Sequence, residues 1–94
     1  MAERVRIEHR PLHEIAKEIE KDWHPRIFYG AKPYLAAMLE LDHISDKYMA
    51  DTAYSIVLYF LGNAAQWKGD TARRVKGELR GICKRHKDAQ GSMF

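Results

Sequence analysis

Apolar residues recur every three to four positions along most of the chain, a spacing typical of amphipathic helices. The first helix is predicted to open at Pro11, because proline is favoured in the first turn. It ends at His24-Pro25, because proline cannot continue the hydrogen-bond ladder and the residue before it avoids helical dihedrals. The core face of this helix carries Leu12, Ile15, Ala16, Ile19 and Trp23.

A short second helix and a longer fourth helix are also predicted. The second is entered near Pro33 and directs Leu35, Met38 and Leu39 inward, with Leu41 as a further candidate. Residues 42–46 then form a turn that offers two candidate N-caps, Ser45 and Asp46. The fourth helix runs from an N-cap at Asp70 to about His86. It is expected to bury Ala72, Val75, Leu79, Ile82 and Cys83.

The third helix, predicted over residues 47–66, is the most apolar of the four. Its core-facing residues are Met49, Ala53, Ile56, Val57, Phe60, Leu61 and Ala64, and Tyr54 and Leu58 widen this arc beyond half of the circumference. So wide an arc predicts a helix that the others surround. No segment shows the alternation of a convincing strand. The predicted fold is therefore all-α, a compact bundle of about four helices around a central third helix.

The length and composition limit the organisation to one domain. The chain has 94 residues, of which 46% are hydrophobic, so it can bury one core but not two. We predict a single domain over residues 1–94, with flexible ends at residues 1–10 and 87–94, which lack periodicity. No signal peptide or membrane span is predicted, because the longest apolar run covers only residues 56–61.

The order of the residues resembles a known family. The string Pro11-Leu-His-Glu-Ile-Ala-Lys-Glu-Ile, then Asp22-Trp23 and Pro33-Tyr-Leu-Ala-Ala-Met38, is similar to the opening of short uncharacterised proteins carried by bacteriophages and mobile elements of Gram-positive bacteria. The later strings Asp51-Thr-Ala-Tyr-Ser-Ile-Val-Leu-Tyr-Phe-Leu61, Asn63-Ala, Trp67-Lys-Gly69 and Ala72-Arg-Arg-Val-Lys-Gly-Glu-Leu79 are similar to that family's later pattern. The resemblance implies an origin in a phage or mobile element, and it assigns no catalytic or binding residue.

Histidines are the first candidates for a metal site. His9 and His13 lie four residues apart, but Pro11 between them places His9 outside the helix. Asp42, His43 and Asp46 share one turn and could offer ligands. No HExxH or Cys/His spacing supports either group, so we predict no metal.

Nucleophilic catalysis has little support either. Cys83, the single cysteine, falls on the apolar face of the fourth helix, where a buried and inert thiol is expected. It also excludes an intramolecular disulfide, which fits a reducing cytoplasm. No nucleophile-elbow, P-loop or dinucleotide-binding pattern is present. The sequence therefore predicts no enzyme and no cofactor.

Aromatic residues could form part of the core or an interface. We expect Trp23 and Tyr34 to lie in the core, because large rings make up much of the core of so small a protein. Phe28 and Tyr29 beside Gly30 stay open between core packing and an exposed anchor for a partner.

The fourth helix carries the clearest functional signal. Residues 66–94 have a net charge of +5, whereas residues 1–65 have −2. Two mid-helix glycines cost about 1 kcal/mol each relative to alanine, and cations flank them, so a closely approaching partner would explain them. Solubility alone could also explain the cations. The candidate binding residues are Arg73, Arg74, Gly77, Arg80, Gly81, Lys84 and Arg85.

These observations predict a non-enzymatic protein that acts in the host cytoplasm by binding a host or phage protein. The overall charge of +3 is modest and no helix-turn-helix spacing is visible, so a protein partner is favoured. The alternatives are a nucleic-acid-binding or regulatory module that uses the basic fourth helix, and a homo-oligomeric assembly protein that uses the third helix.

Overall fold

The chain folds into a mostly helical domain, seen in a computed structural model that describes residues 7–91. Helices α1 to α4 span Leu12–Trp23, Lys32–Met38, Ala53–Gly62 and Asp70–Gly91, and a 3₁₀ turn at Tyr29–Ala31 leads into α2. Two short antiparallel strands, β1 (Lys47–Tyr48) and β2 (Asp51–Thr52), precede α3. The predicted helical bundle is confirmed in this coarse sense, but the expectation of no strand is wrong.

Helix α1 has the boundaries that its prolines predict. Pro11 occupies the N-cap position and His24 the C-cap position. The amide groups of Leu12 and His13 donate to the carbonyl oxygens of Asp42 and Leu41, both at 2.9 Å. Residues 41 and 42, between α2 and the turn, therefore satisfy donors that a helix start leaves open and join α1 to the segment that follows α2.

Residues 47–52 form a β-hairpin where the sequence predicted the start of the third helix. Met49 sits in its turn with a φ of 56°, and its side chain is exposed. The N-cap of α3 is Thr52, whose Oγ1 accepts a hydrogen bond from the amide of Ser55 at 3.1 Å. The predicted caps Ser45 and Asp46 are therefore wrong. The Asp46 carboxylate instead accepts from the amides of residues 42 and 43 within its own turn.

Helix α3 is not the centre of the bundle. Its main helical neighbours are α2 and α4, which also contact α1. Phe60 is fully buried, but Leu58 and Tyr59 are 42% and 56% exposed. The core lies between all four helices. Its largest fully buried side chains are Trp67, Phe60, Leu12, Ile15, Ile19, Met38, Ile44, Leu79, Ile82, Val57 and Val75.

Parts of both ends that the sequence predicted to be flexible, residues 7–10 and 87–91, belong to the described structure. Helix α4 continues to Gly91, past the predicted end at about His86. Residues 7–10 have no regular secondary structure, yet they contact the domain, because the amide of Ile44 donates to His9 Nε2 at 3.1 Å. The remaining parts of the predicted flexible ends, residues 1–6 and 92–94, lie outside the described residues.

Candidate functional site

The outer face of α4 carries two glycines, of which Gly77 is exposed and Gly81 is half-buried. Gly77 and Gly81 are four residues apart and therefore share one face of the helix. A Cβ built on Gly77 would meet no heavy atom within 4 Å, and one on Gly81 would meet only Arg85 Nη1, at 3.4 Å. No neighbouring element in the described chain thus requires glycine at either position. We call this surface the glycine face.

Ion pairs within α4 neutralise part of the charge at both ends of the glycine face. Arg73 Nη1 lies 3.1 Å from the Asp70 carboxylate, and Lys84 Nζ lies 3.2 Å from that of Asp88. All four side chains are mostly exposed, so each pair adds little to stability. Arg73 and Lys84 can therefore exchange these partners for another anion at small cost.

The flank of α4 that faces α1 is already engaged. Arg74 forms a salt bridge with Glu18, whose carboxylate also binds Arg10 Nη2 at 2.8 Å. Arg10 Nη2 lies 2.7 Å from a Glu78 carboxylate oxygen as well. Hydrogen bonds from Arg74 and Arg10 hold the pKa of Glu18 below its usual range. Arg74 therefore joins α4 to α1, so its role as a free binding residue has no support.

Arg85 lies farther along this same flank. Its Nη2 is 3.5 Å from the carbonyl oxygen of Glu8, a long contact that a competing anion could displace. Arg85 also forms no salt bridge within the described residues. It therefore remains available beside Gly81, unlike Arg74.

The opposite flank of α4 lines a cleft of about 350 Å³ that the sequence did not predict. We call it the cationic cleft. Its walls are Ala65, Trp67, Lys68, Gly69, Ala72, Arg73, Lys76 and Arg80. Lys68 and Lys76 were not among the candidate residues. The spacing of Arg73, Lys76 and Arg80 at three and four residues could have shown that these cations share a helical flank.

The histidines and neighbouring carboxylates hold the chain together rather than forming a ligand set. No group of three or more His, Cys, Asp or Glu side chains within residues 7–91 is placed to hold a metal ion. Ser45 donates its amide hydrogen to His43 Nδ1 at 3.0 Å, and His43 Nε2 donates to the Ile7 carbonyl oxygen at 2.8 Å. His9 stacks on His43 with ring centroids 4.6 Å apart. His13 lies 3.8 Å from Asp42.

Cys83 is buried in the core, as predicted, with 5% of its surface exposed. Burial raises the pKa of its thiol to about 11, so the thiolate is scarce at neutral pH. This environment is that of a structural cysteine.

The aromatic residues divide between core and surface. Trp23 is buried and stacks on Trp67, whose Nε1 donates to the Asp22 carboxylate at 2.9 Å. Tyr34 is only half-buried, so its assignment to the core holds in part. Phe28 packs against the core while its neighbour Tyr29 is 79% exposed. Of the two open cases, only Tyr29 is available to a partner.

Comparisons with protein-family models, curated proteins and solved structures find no match to this chain. The resemblance to a phage-borne family therefore stays a prediction. Within the described part of the chain, no helix is long and apolar enough to cross a membrane.

Proposed function

We propose that the protein is a non-enzymatic binding module that docks the glycine face of α4 onto an acidic helix of a protein partner. The observation that carries this proposal is the open space beside Gly77 and Gly81, where a Cβ would meet no atom at Gly77 and only the Arg85 side chain at Gly81. If the resemblance to phage-borne proteins holds, the partner is a host or phage protein in the host cytoplasm.

The glycines favour a helix as the partner surface. Glycine in a helix interior costs about 1 kcal/mol relative to alanine, so two on one face weaken α4 without any internal packing benefit. Without a Cβ, the backbones of two helices can approach more closely than other residues allow. A partner helix lying along the glycine face would place its flanking carboxylates near Arg80 and Lys84 on one side and Arg85 on the other.

Nucleic acid is a second candidate, favoured by the cations on the cleft side of α4. Arg73, Lys76 and Arg80 of α4 line the cleft together with Lys68, which precedes the helix. Lys84 follows Arg80 by four residues and therefore lies on the same flank. A row of cations along one helix can follow a phosphate backbone. This alternative predicts binding that weakens steeply with salt, by about one unit of slope for each cation removed.

A double substitution of the glycines tests the proposal. Gly77→Ala/Gly81→Ala should stabilise the fold by about 1–2 kcal/mol, because both methyl groups have room and alanine favours the helix. The same methyl groups should hold a partner helix away and weaken its binding. Gly62→Ala is the matched control, because Gly62 is also helical and open but lies on α3.

Affinity capture from a host lysate is the measurement, with wild type and both variants compared at equal protein concentration. The proposal expects a protein that wild type and Gly62→Ala retain and that Gly77→Ala/Gly81→Ala loses. Sedimentation of each sample shows whether the captured partner is a second copy of this chain. A double variant that keeps every captured protein would contradict docking through the glycine face, and retention of nucleic acid alone would favour the second candidate.

A further inference from the structure

The cationic cleft concentrates positive charge in one concave site. Lys68, Lys76 and Arg80 line it, and none of these three forms a salt bridge within the described residues. None of the lining residues is acidic. Arg73, a further cation of the lining, is paired with the Asp70 carboxylate at 3.1 Å. Among residues 7–91, therefore, no carboxylate is paired with any of these three charges.

Lys76 is fixed with its charge in this site. Its Nζ donates to the Ala64 carbonyl oxygen at 2.6 Å and lies 5.9 Å from the centroid of the Trp67 ring. Burial lowers the pKa of Lys76, and repulsion from Arg80 and Lys68 lowers it further. Lys76 is thus close enough to both other cations to be destabilised by them, and an anion beside it would relieve that repulsion.

We propose that the cationic cleft binds a phosphate group. A phosphate monoester carries up to two negative charges at neutral pH and offers three acceptor oxygens, which suits two ammonium groups and a guanidinium. The cleft volume of about 350 Å³ admits such a group together with its ester substituent. This inference goes beyond docking on the glycine face and does not depend on it.

The cleft recognises the phosphate and not an attached base. Trp67 is only 2% exposed, so its ring forms the floor and cannot stack on a nucleobase. Lys68 and Arg80 are exposed and can close over the ligand from two sides, since one precedes α4 and the other lies on it. Free phosphate esters and nucleic acid strands share this chemistry, and the experiment separates them.

The first measurement is a titration of isotope-labelled protein with inorganic phosphate, followed by NMR at constant ionic strength in chloride. We expect saturable shifts of the Gly69 and Ala72 amide signals, with a dissociation constant on the order of 1 mM. Lys68→Gln/Arg80→Gln should weaken binding at least about tenfold. The matched control is Lys17→Gln/Lys47→Gln, which removes two exposed charges away from the cleft and should change the constant less than about twofold.

Two further arms identify the source of the phosphate. If adenosine monophosphate binds with the same affinity as inorganic phosphate, and a short single-stranded oligonucleotide binds no more tightly, the result indicates a free phosphate ligand. An oligonucleotide that binds at least about a hundredfold more tightly, and loses this gain in Lys68→Gln/Arg80→Gln, indicates a nucleic acid strand.

Two results would overturn the proposal: shifts that stay linear with phosphate concentration, or equal losses in the cleft variant and the control. The amide spectrum of each variant shows whether it is folded. If Lys68→Gln/Arg80→Gln does not fold, the single variant Lys68→Gln is titrated in its place. Its fold should be unaffected, because the Lys68 side chain has no hydrogen bond or salt bridge within residues 7–91. The Gly77→Ala/Gly81→Ala variant should bind phosphate normally, so failure of the docking proposal leaves this one intact.

Discussion

The substitution Phe60→Ala tests the packing at the centre of the core. The Phe60 ring is fully buried, with its centroid 6.3 Å from that of Trp23 and 6.5 Å from that of Trp67, both in edge-to-face geometry. Removing it leaves a cavity that two rigid indoles cannot fill, because they stack on each other. We expect a loss of about 3–5 kcal/mol in the free energy of unfolding. Domains of this size have about 5–15 kcal/mol in total.

Urea denaturation followed by tryptophan fluorescence measures this loss, because both indoles flank the cavity. Tyr59→Ala is the matched control from the next position of α3. Tyr59 is 56% exposed and contacts the Tyr34 ring with centroids 5.5 Å apart, so its loss should cost no more than about 1.5 kcal/mol. Equal costs for the two variants, or an unchanged midpoint for Phe60→Ala, would refute the packing described for α3.

Two further predictions concern ionisable groups. Burial, with repulsion from His43 and Arg85, lowers the pKa of His9 below 6.5, so its stabilising contribution is complete above pH 6.5 and is lost as the pH falls through the lowered value. The urea midpoint of wild type should decrease as the pH is lowered from about 7.5 to about 5, and His9→Gln should reduce this decrease. A wild-type midpoint that does not change over this range would contradict the prediction. Glu18→Gln should cost on the order of 1 kcal/mol, because Glu18 binds two guanidinium groups. High salt should shrink the difference in thermal stability between Glu18→Gln and wild type, and a cost that salt leaves unchanged would contradict an electrostatic origin.

Local sequence signals were sufficient for the helices that begin or end at proline. Pro11 and Pro25 bracket α1, and the apolar positions between them are those that the structure buries. Residues 47–52 show where such signals fail. Two strands of two residues are too short for a period to appear, and the helical spacing continues through Met49, which the structure places in an exposed turn with positive φ.

The third helix does carry a wide apolar arc, but the inference that the other helices surround it was wrong. Leu58 lies at the edge of that arc and is 42% exposed, because the main helical neighbours of α3, which are α2 and α4, do not cover it. A helical wheel gives the direction of each side chain, but it does not say how many neighbours are present to cover it. In a domain of four helices, the core is filled before every apolar residue is buried.

For the charged side chains of α4, too, the helical wheel gives directions but not the neighbours that each side chain meets. The spacing of Gly77 and Gly81 was sufficient to place both on one face of α4 away from the core, because their positions depend only on the geometry of the helix. Whether a cation on α4 is paired depends on residues from other elements. Glu18 on α1 forms a salt bridge with Arg74, whereas Arg80 lines a cleft together with Lys68, which precedes the helix. Residues with the same charge on one helix therefore have different roles. The charge of α4 is available where no carboxylate from another element reaches it, and this condition becomes visible only in the folded chain.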